Sequence, residues 1–172
     1  MTVKRLERPV SPDGLDALAR ALLRAAPLCA ISTVSPGGRA HVNTAYFAWS
    51  DRFEIVWLSS PAARHSRNIE VSGTAAIAVF DSRQTWGDLD RGIQLFGAAR
   101  RLRGRPADEA RVLYAMRFRE ARDLDNEAYR YYTLRTRRMK LFDERKLGGA
   151  TFVTARIGAD GRPVWERTER YA

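Results

Sequence analysis

The chain has 172 residues and a mass of 19.5 kDa, enough for one domain with its own core. Hydrophobic residues make up 45% and charged residues 29% of the sequence, which excludes a disordered or fibrous protein. The single cysteine, Cys29, excludes an intramolecular disulfide framework and is expected to be a small buried core residue. No apolar run reaches the roughly 20 residues of a membrane span and no signal peptide is recognisable, so we expect a cytoplasmic protein without membrane association.

The net charge of +10 is concentrated in one part of the chain. The segment 100–146 carries 15 basic and 8 acidic side chains, and therefore accounts for +7 of that charge. A segment of this kind could bind nucleic acid, an anionic membrane or a phosphorylated small molecule. Composition alone does not choose among these partners.

The first half of the chain begins with a helix signal and continues with strands. Ser11-Pro12 begins an amphipathic helix that ends at Pro27. Apolar strand patterns follow at 28–34, 40–49 and 53–59. Because the turns between these three strands are short, the pattern predicts an antiparallel meander. A second helix-start signature, Ser60-Pro61, predicts a short helix over 62–71.

The second half of the chain is also rich in strands. Further strands are predicted at 74–82, 93–102, 131–143, 151–157 and 163–171. A third helix begins at Pro106, with apolar Val112, Leu113 and Met116 behind its acidic first turn. Gly97 predicts a bulge or a close backbone approach, and the polar loop 84–92 exposes Trp86. Many short strands with three helices predict a mainly β fold with flanking helices, a small antiparallel barrel.

The junction of the strand 53–59 and the following helix is a candidate anion site. A helix N-terminus presents unpaired N–H groups and the positive end of its dipole, which suits a phosphate. Ser59 and Ser60 add hydroxyl donors, and Arg64 adds a bidentate guanidinium. Asn68 shares the helix face of Arg64, and His65 is its neighbour. A capped surface helix with solvated arginines is the alternative interpretation.

Polar residues inside the apolar strands are a second set of candidates. Asn43, Thr44 and Gln94 need hydrogen-bond partners if they are buried, and the partner could be neighbouring backbone or a ligand. His41 and His65 are the only histidines, and no acidic residues accompany them at metal-ligand spacing, so no metal site is expected. The sequence holds no catalytic motif that identifies a nucleophile or an acid–base pair. This pattern favours a bound cofactor that carries the chemistry.

The motifs HVNTAYFAW, IVWLSSPAARHSRN and IQLFGAARRL, in this order and spacing, resemble the pyridoxamine 5′-phosphate oxidase-like family, the FMN-binding split barrels. The resemblance covers residues 28–102 well and the rest of the chain more loosely. It implies a Greek-key antiparallel split β-barrel in which residues 1–172 form one flavin-binding domain. It also implies a homodimer with FMN at the subunit interface. A homodimer is also expected from the number of aromatic side chains that one short chain can hardly cover: Tyr46, Phe47, Trp49 and Trp57.

The resemblance also assigns cofactor contacts. It implies that Ser59, Arg64 and His65 contact the FMN phosphate, while Asn43 and Ala48 replace an arginine and a lysine of the oxidases. It places Gln94 near the strand that contacts the isoalloxazine ring. The candidate cofactor-binding residues are Asn43, Thr44, Ser59, Ser60, Arg64, His65, Asn68 and Gln94.

The C-terminal Arg-x-His substrate signature of the oxidases is absent from this chain. We therefore expect an FMN-dependent oxidoreductase that acts on a small molecule other than pyridoxamine phosphate. The candidate substrate-binding residues, chosen for their basic or aromatic character, are Trp86, Arg91, Arg137, Arg138 and Lys140. No catalytic residue can be assigned from the sequence.

Two alternatives remain open on the same residues. The first is a non-catalytic binder or sensor of a flavin, a deazaflavin coenzyme or haem. The second is nucleic-acid binding through the basic segment 100–146, where Tyr129, Tyr131 and Tyr132 could act as stacking platforms. We regard the second as the weaker alternative, because acidic residues interrupt the segment and no known nucleic-acid-binding motif is present.

Overall fold

The computed structural model of the chain describes residues 2–121 and 128–172. The strands in this part of the chain are β1 Val3–Leu6, β2 Leu28–Val34, β3 Ala40–Trp49, β4 Glu54–Ser59, β5 Thr74–Phe80, β6 Arg91–Arg101, β7 Arg130–Asp143, β8 Thr151–Ile157 and β9 Pro163–Tyr171. The helices are α1 Pro12–Arg24, α2 Arg64–Ser72, α3 Arg105–Arg117 and the single turn α4 Glu144–Leu147, with a 3₁₀ turn at Arg119–Ala121.

The strands form one sheet in the order β1-β9-β8-β7-β4-β3-β2-β5-β6. An additional pairing between β6 and β7 closes six of them into an antiparallel barrel, which covers the sheet edge that β6 would otherwise expose. The predicted fold class, a mainly β split barrel with flanking helices, is therefore confirmed.

The chain divides into two compact units, each built from separate segments. Unit 1 comprises Met1–Pro27, Ala78–Leu95 and Arg137–Ala172, and unit 2 comprises Leu28–Ile77 and Phe96–Thr136.

Unit 2 contains the predicted meander of β2, β3 and β4. Between β2 and β3, Leu28 pairs with Tyr46 and Val34 pairs with Ala40. Between β3 and β4, Phe47 pairs with Trp57. Strand β4 then pairs with β7, so that Trp57 lies opposite Tyr132. The side chains that fill the interior of this unit are fully buried: Ile31, Phe47, Phe53, Ile55, Trp57, Ile69, Tyr132 and Leu134. Cys29 is buried among them, as the sequence predicts.

Unit 1 pairs the first described strand with the last. Val3 lies opposite Tyr171, and β9 continues through β8 to β7. Helix α1 begins as predicted, because Ser11 Oγ accepts a hydrogen bond from the Gly14 backbone N–H. Its predicted apolar face is buried: Leu15, Leu18, Ala19, Leu22 and Leu23.

Two helix predictions need correction. Helix α2 begins at Arg64 rather than at 62, and Ser60 does not cap it, because Ala63 is its N-cap. Ser60 and Pro61 instead form a turn closed by the Ala63 N–H on the Ser60 carbonyl. In α3, Val112 and Met116 are exposed, and the helix packs through Ala110 and Tyr114 onto Ala48 and Val56. Small and aromatic residues therefore form the buried face of α3, a pattern that aliphatic periodicity does not reveal.

The aromatic faces expected to need a second subunit are largely covered within unit 2. Phe47 and Trp57 are fully buried, and Trp49 is half-buried. The Arg117 guanidinium lies 4.3 Å from the Phe47 ring centroid and 4.4 Å from that of Trp49, and it donates to the Phe47 carbonyl. Burial lowers the pKa of Arg117 to about 10, which leaves it charged at neutral pH. Of the four aromatic residues, Tyr46 is the one that stays exposed.

Candidate functional site

A buried hydrogen-bond cluster joins the end of β4 to the first turn of α2. Ser59 Oγ lies 2.6 Å from His65 Nε2, and Ser66 Oγ donates to Ser59 Oγ over 3.1 Å. All three residues are at most 5% exposed. The His65 ring also stacks on His41 of β3, with 6.2 Å between centroids. The cluster fixes the start of α2 against the strands of unit 2.

His65 is held in its neutral form at physiological pH. Burial first, and then the proximity of His41, lower the pKa of His65 below its usual value of 6.5. A neutral imidazole carries one donor and one acceptor nitrogen, so the bond between Ser59 Oγ and His65 Nε2 can form in either direction. Ser59 Oγ accepts from Ser66 Oγ and also donates to the Ser60 carbonyl over 3.5 Å. His65 therefore contacts Ser59 through a neutral ring and holds the first turn of α2 in place.

A cavity of about 290 Å³ lies along the same helix, and we call it the arginine cavity. Three guanidinium-bearing residues line it, Arg39, Arg64 and Arg67. His41 and Asn68 add further polar lining, and the described residues around the cavity include no aspartate or glutamate. Guanidinium groups bind phosphates and carboxylates by paired charge-assisted hydrogen bonds. The chemistry of this cavity therefore favours an anionic group.

The helical period of α2 brings its cavity-lining polar residues together. Arg64, Arg67 and Asn68 lie at positions i, i+3 and i+4, which places them on one side of the helix. Asn68 is buried, and its Nδ2 donates to Thr33 Oγ1 of β2 over 3.0 Å, which fixes that side of the helix. Arg39 reaches the cavity from the turn between β2 and β3.

Two of the three arginines, Arg39 and Arg67, are not among the residues predicted from the sequence. The spacing of Arg67 from Arg64 could have identified it as a partner on the same helix face. Arg39 carries no such signal, since its place depends on how the β2–β3 turn folds beside α2.

Other predicted cofactor residues are satisfied locally. The Asn43 side-chain amide donates to the Thr44 carbonyl over 2.9 Å, and the Thr44 side chain is exposed. Ser60 Oγ accepts from the Ala62 backbone N–H. None of these three residues lines the arginine cavity. Gln94 is half-buried on β6 and belongs to unit 1.

The five candidate substrate residues all belong to unit 1. Three of them already have partners there: Arg91 with the buried Asp143 at 2.9 Å, Arg138 with Glu166 at 2.9 Å, and Lys140 with the Tyr171 hydroxyl at 2.9 Å. Arg137 is exposed. Trp86 is 99% exposed, as predicted for its loop.

The tyrosines proposed as stacking platforms are mostly unavailable. Tyr132 is fully buried, and Tyr131 packs edge-on against Tyr114 with 5.9 Å between centroids. Tyr129 is the exposed member of the three. Residues 122–127 of the basic segment lie outside the described residues.

Within residues 2–121 and 128–172, no group of three or more His, Cys, Asp or Glu side chains could hold a metal ion. None of the helices described is both long enough and apolar enough to span a bilayer.

The closed barrel, with an arginine-lined cavity between the β2–β3 turn and α2, defines a split-barrel protein. The family model for pyridoxamine 5′-phosphate oxidase matches residues 15–139, and the chain belongs to this family. None of the curated proteins is similar enough in sequence to match.

Solved structures with the same fold bind different cofactors. A haem-binding protein from Mycobacterium smegmatis is 15% identical with a TM-score of 0.65, over 96% of this chain and 89% of that one. An FMN-binding, pyridoxamine 5′-phosphate oxidase-related protein from Nostoc punctiforme is 13% identical with a TM-score of 0.59, over 88% and 91%. A protein of unknown function from Agrobacterium tumefaciens is 20% identical with a TM-score of 0.63; the match covers 74% of this chain but only 57% of that one.

Proposed function

We propose that the protein binds FMN, with the phosphate in the arginine cavity, and acts as an FMN-dependent oxidoreductase on a small molecule. The observation that carries this proposal is the set of Arg39, Arg64 and Arg67 around one cavity without a carboxylate among the described lining residues. A phosphate monoester carries a charge of about −1.5 to −2 at neutral pH, which three guanidinium groups can neutralise. The FMN-binding relative from Nostoc punctiforme supports this choice.

The residues present fit the phosphate end of FMN. Arg64 and Arg67 would hold it from α2, and Arg39 from the β2–β3 turn. The buried contact between Ser59 and His65 keeps the first turn of α2 in place, so the guanidinium groups project from a fixed backbone. FMN supplies the redox chemistry when it is bound.

We further propose that the exposed Trp86 and Arg137 of unit 1 contact the substrate, because Arg91, Arg138 and Lys140 already have partners.

The phosphate assignment is tested by comparing FMN with riboflavin in fluorescence-quenching titrations. Each lost charge-assisted hydrogen bond costs roughly 1.5–3 kcal/mol, so FMN should bind at least about tenfold more tightly. The double variant Arg64→Gln/Arg67→Gln should remove this preference. Equal affinities of the wild-type protein for FMN and riboflavin would contradict the assignment. Turnover with NADH or NADPH as electron donor would separate an oxidoreductase from a flavin carrier.

Haem is a second candidate, favoured by the position of His41. This half-buried histidine lines the arginine cavity and could offer a ring nitrogen to iron, while the arginines pair with the haem propionates. The haem-binding relative from Mycobacterium smegmatis supports this alternative. Titration with hemin should then give a Soret band that is lost in His41→Ala. A deazaflavin coenzyme would be recognised by its own absorbance spectrum in the purified protein.

A further inference from the structure

A second cavity in unit 2 shares no lining residue with the arginine cavity. Its volume is about 380 Å³, within the usual range of roughly 300–1,000 Å³ for small-molecule sites. Ile69, Glu70 and Gly73 line it from the end of α2, and Ala99 to Arg103 from the end of β6. We call it the β6–α3 cavity, because Pro106 of α3 completes it.

The charge of this cavity is strongly positive. Arg100, Arg101 and Arg103 line it, against a single carboxylate from Glu70. Within residues 2–121 and 128–172, these three arginines form no ion pair, whereas neighbouring Arg105 pairs with Glu109 at 2.9 Å. Three arginines without carboxylate partners give this cavity a positive potential, which would attract an anion.

Arg101 supplies an independent observation. Its Nε is buried and has no hydrogen-bond partner among the described residues. Buried donors in folded proteins are almost always satisfied, so an unsatisfied one is a place where an ordered water or a ligand atom can bind. The backbone on either side is fixed, because the Ala99 N–H donates to the Gly73 carbonyl and the Leu102 N–H to the Tyr131 carbonyl. Arg100 and Arg101 therefore lie at a fixed strand end, and Arg103 follows directly after it.

We infer that the β6–α3 cavity binds a small phosphorylated molecule at a site separate from the cofactor site. This inference gives a role to three arginines of the basic segment 100–146 that the proposed FMN site leaves unused. A nucleic acid fits the observations less well, because Tyr132 is buried, Tyr131 packs inward and Glu70 interrupts the positive lining. The concave shape and the grouped guanidiniums favour one or two phosphoryl groups instead.

The experiment uses inorganic pyrophosphate as the probe, in isothermal titration calorimetry at constant ionic strength. The full-length protein carrying Arg39→Gln/Arg64→Gln/Arg67→Gln serves as background, so that the arginine cavity has lost all three of its guanidinium groups. Adding Arg100→Gln/Arg103→Gln should weaken pyrophosphate binding by at least about tenfold, because two charge-assisted contacts are lost. Arg105→Gln is the control, since it removes one positive charge from the same segment outside the cavity, and it should change the affinity less than about twofold.

A second variant tests whether the Nε donor of Arg101 contributes to binding. Arg101→Lys keeps the charge but removes the Nε donor, and should also weaken binding while the melting temperature is retained. The inference is overturned if pyrophosphate fails to bind the background protein, or if Arg105→Gln and Arg100→Gln/Arg103→Gln weaken binding equally. It is also overturned if a single-stranded oligonucleotide binds more tightly than pyrophosphate through the same arginines. The outcome does not depend on FMN binding, which is measured separately.

Discussion

Arg64 lies at a helix position where its charge is unfavourable for the helix itself. A cation in the first turn of α2 faces the positive end of the helix dipole, and within the described residues Arg64 forms no ion pair. Its side chain instead borders the arginine cavity. The residue is therefore better explained by a ligand than by stability.

We expect Arg64→Ala to weaken FMN binding by about tenfold while leaving the melting temperature unchanged or slightly higher. The measurements are FMN fluorescence quenching and thermal unfolding of the protein without FMN. Arg111→Ala is the control, because it removes one exposed arginine of α3 outside the cavity. An unchanged FMN affinity together with a sharply lowered melting temperature would assign Arg64 a structural role.

His65 makes stability depend on pH. Its pKa is lowered in the folded protein by burial and by His41, whereas the unfolded chain binds a proton near pH 6.5. The unfolded state therefore binds more protons in the interval between the folded pKa and 6.5, and the free energy of unfolding falls as the pH falls through that interval. We expect this slope in urea unfolding between pH 7.5 and pH 5, measured in steps.

The variant His65→Gln tests the assignment of that slope, since glutamine cannot titrate. Its overall stability should be lower, but its dependence on pH below about 6.5 should be flatter. Ser59→Ala is the matched control, because it removes the hydrogen bond and keeps the titrating ring. If His65→Gln retained the full slope, another group would be responsible.

At the scale of strands, Gly97 permits the pairing of β6 with β7. A methyl group at Gly97 would overlap the backbone carbonyl oxygen of Arg135 on the neighbouring strand. The close backbone approach predicted from the sequence is therefore confirmed. Because the β6–β7 pairing closes the barrel, closure requires a residue without a side chain at position 97.

We expect Gly97→Ala to lower the free energy of unfolding by roughly 3 kcal/mol, because neither backbone can move away without breaking the pairing. Chemical unfolding of the two proteins measures the difference. Gly37→Ala is the matched control: it lies in the β2–β3 turn with open space around it and should change stability by less than about 1 kcal/mol. Similar stabilities of Gly97→Ala and the wild type would mean that the strands adjust freely.

The strands of the barrel were predictable because apolar runs between clear turns carry a strong local signal. Strand β1 was missed, since Val3, Lys4 and Arg5 are exposed and show no alternation of polar and apolar residues. The start of α2 was misplaced because Ser60-Pro61 resembles a helix start but forms a turn first. Tertiary structure decides both features: β1 forms by pairing with β9, and the start of α2 depends on the path of the chain after β4.

The candidate site was predictable in part. The sequence pointed to the β4–α2 junction, where Ser59 and His65 meet and Arg64 borders the arginine cavity. It did not reveal Arg39, which is distant in sequence from α2, nor the neutral state of His65, which depends on burial. Local patterns identify the ends of elements, whereas convergence of side chains and their pKa values depend on the packed structure.

At the scale of the whole molecule, we propose a homodimer. Four apolar residues are exposed on one face of the β2–β3 pair: Leu28, Val34, Val42 and Tyr46. Such a face is uncommon on a monomer. Light scattering should therefore give twice the chain mass of 19.5 kDa.

The variant Val42→Asp should reduce the light-scattering mass to that of one chain, because a carboxylate would be buried in the interface without a partner. Val112→Asp is the matched control, since Val112 on α3 is also 62% exposed and lies outside that face. A wild-type mass equal to one chain at micromolar concentration would contradict the proposed dimer.

We expect no oxidation of pyridoxamine phosphate by the FMN-loaded protein, although the chain belongs to the family named for that reaction. The Arg-x-His signature is absent, and His41 and His65 both occupy unit 2 positions near α2. Catalysis requires side chains that hold the substrate at the correct distance and orientation to the flavin. Steady peroxide release at about 1 per second or faster would show that other residues perform this role.

The pairing of Val3 with Tyr171 has a consequence for the order of folding. Strands β2 and β3 are joined by a short turn and can meet early, whereas β1 cannot find β9 until nearly the entire intervening chain is arranged. The β1–β9 contacts should therefore be absent from the transition state for folding. Weakening them would speed unfolding and leave the folding rate almost unchanged, so β1 would protect the folded protein kinetically without guiding its formation.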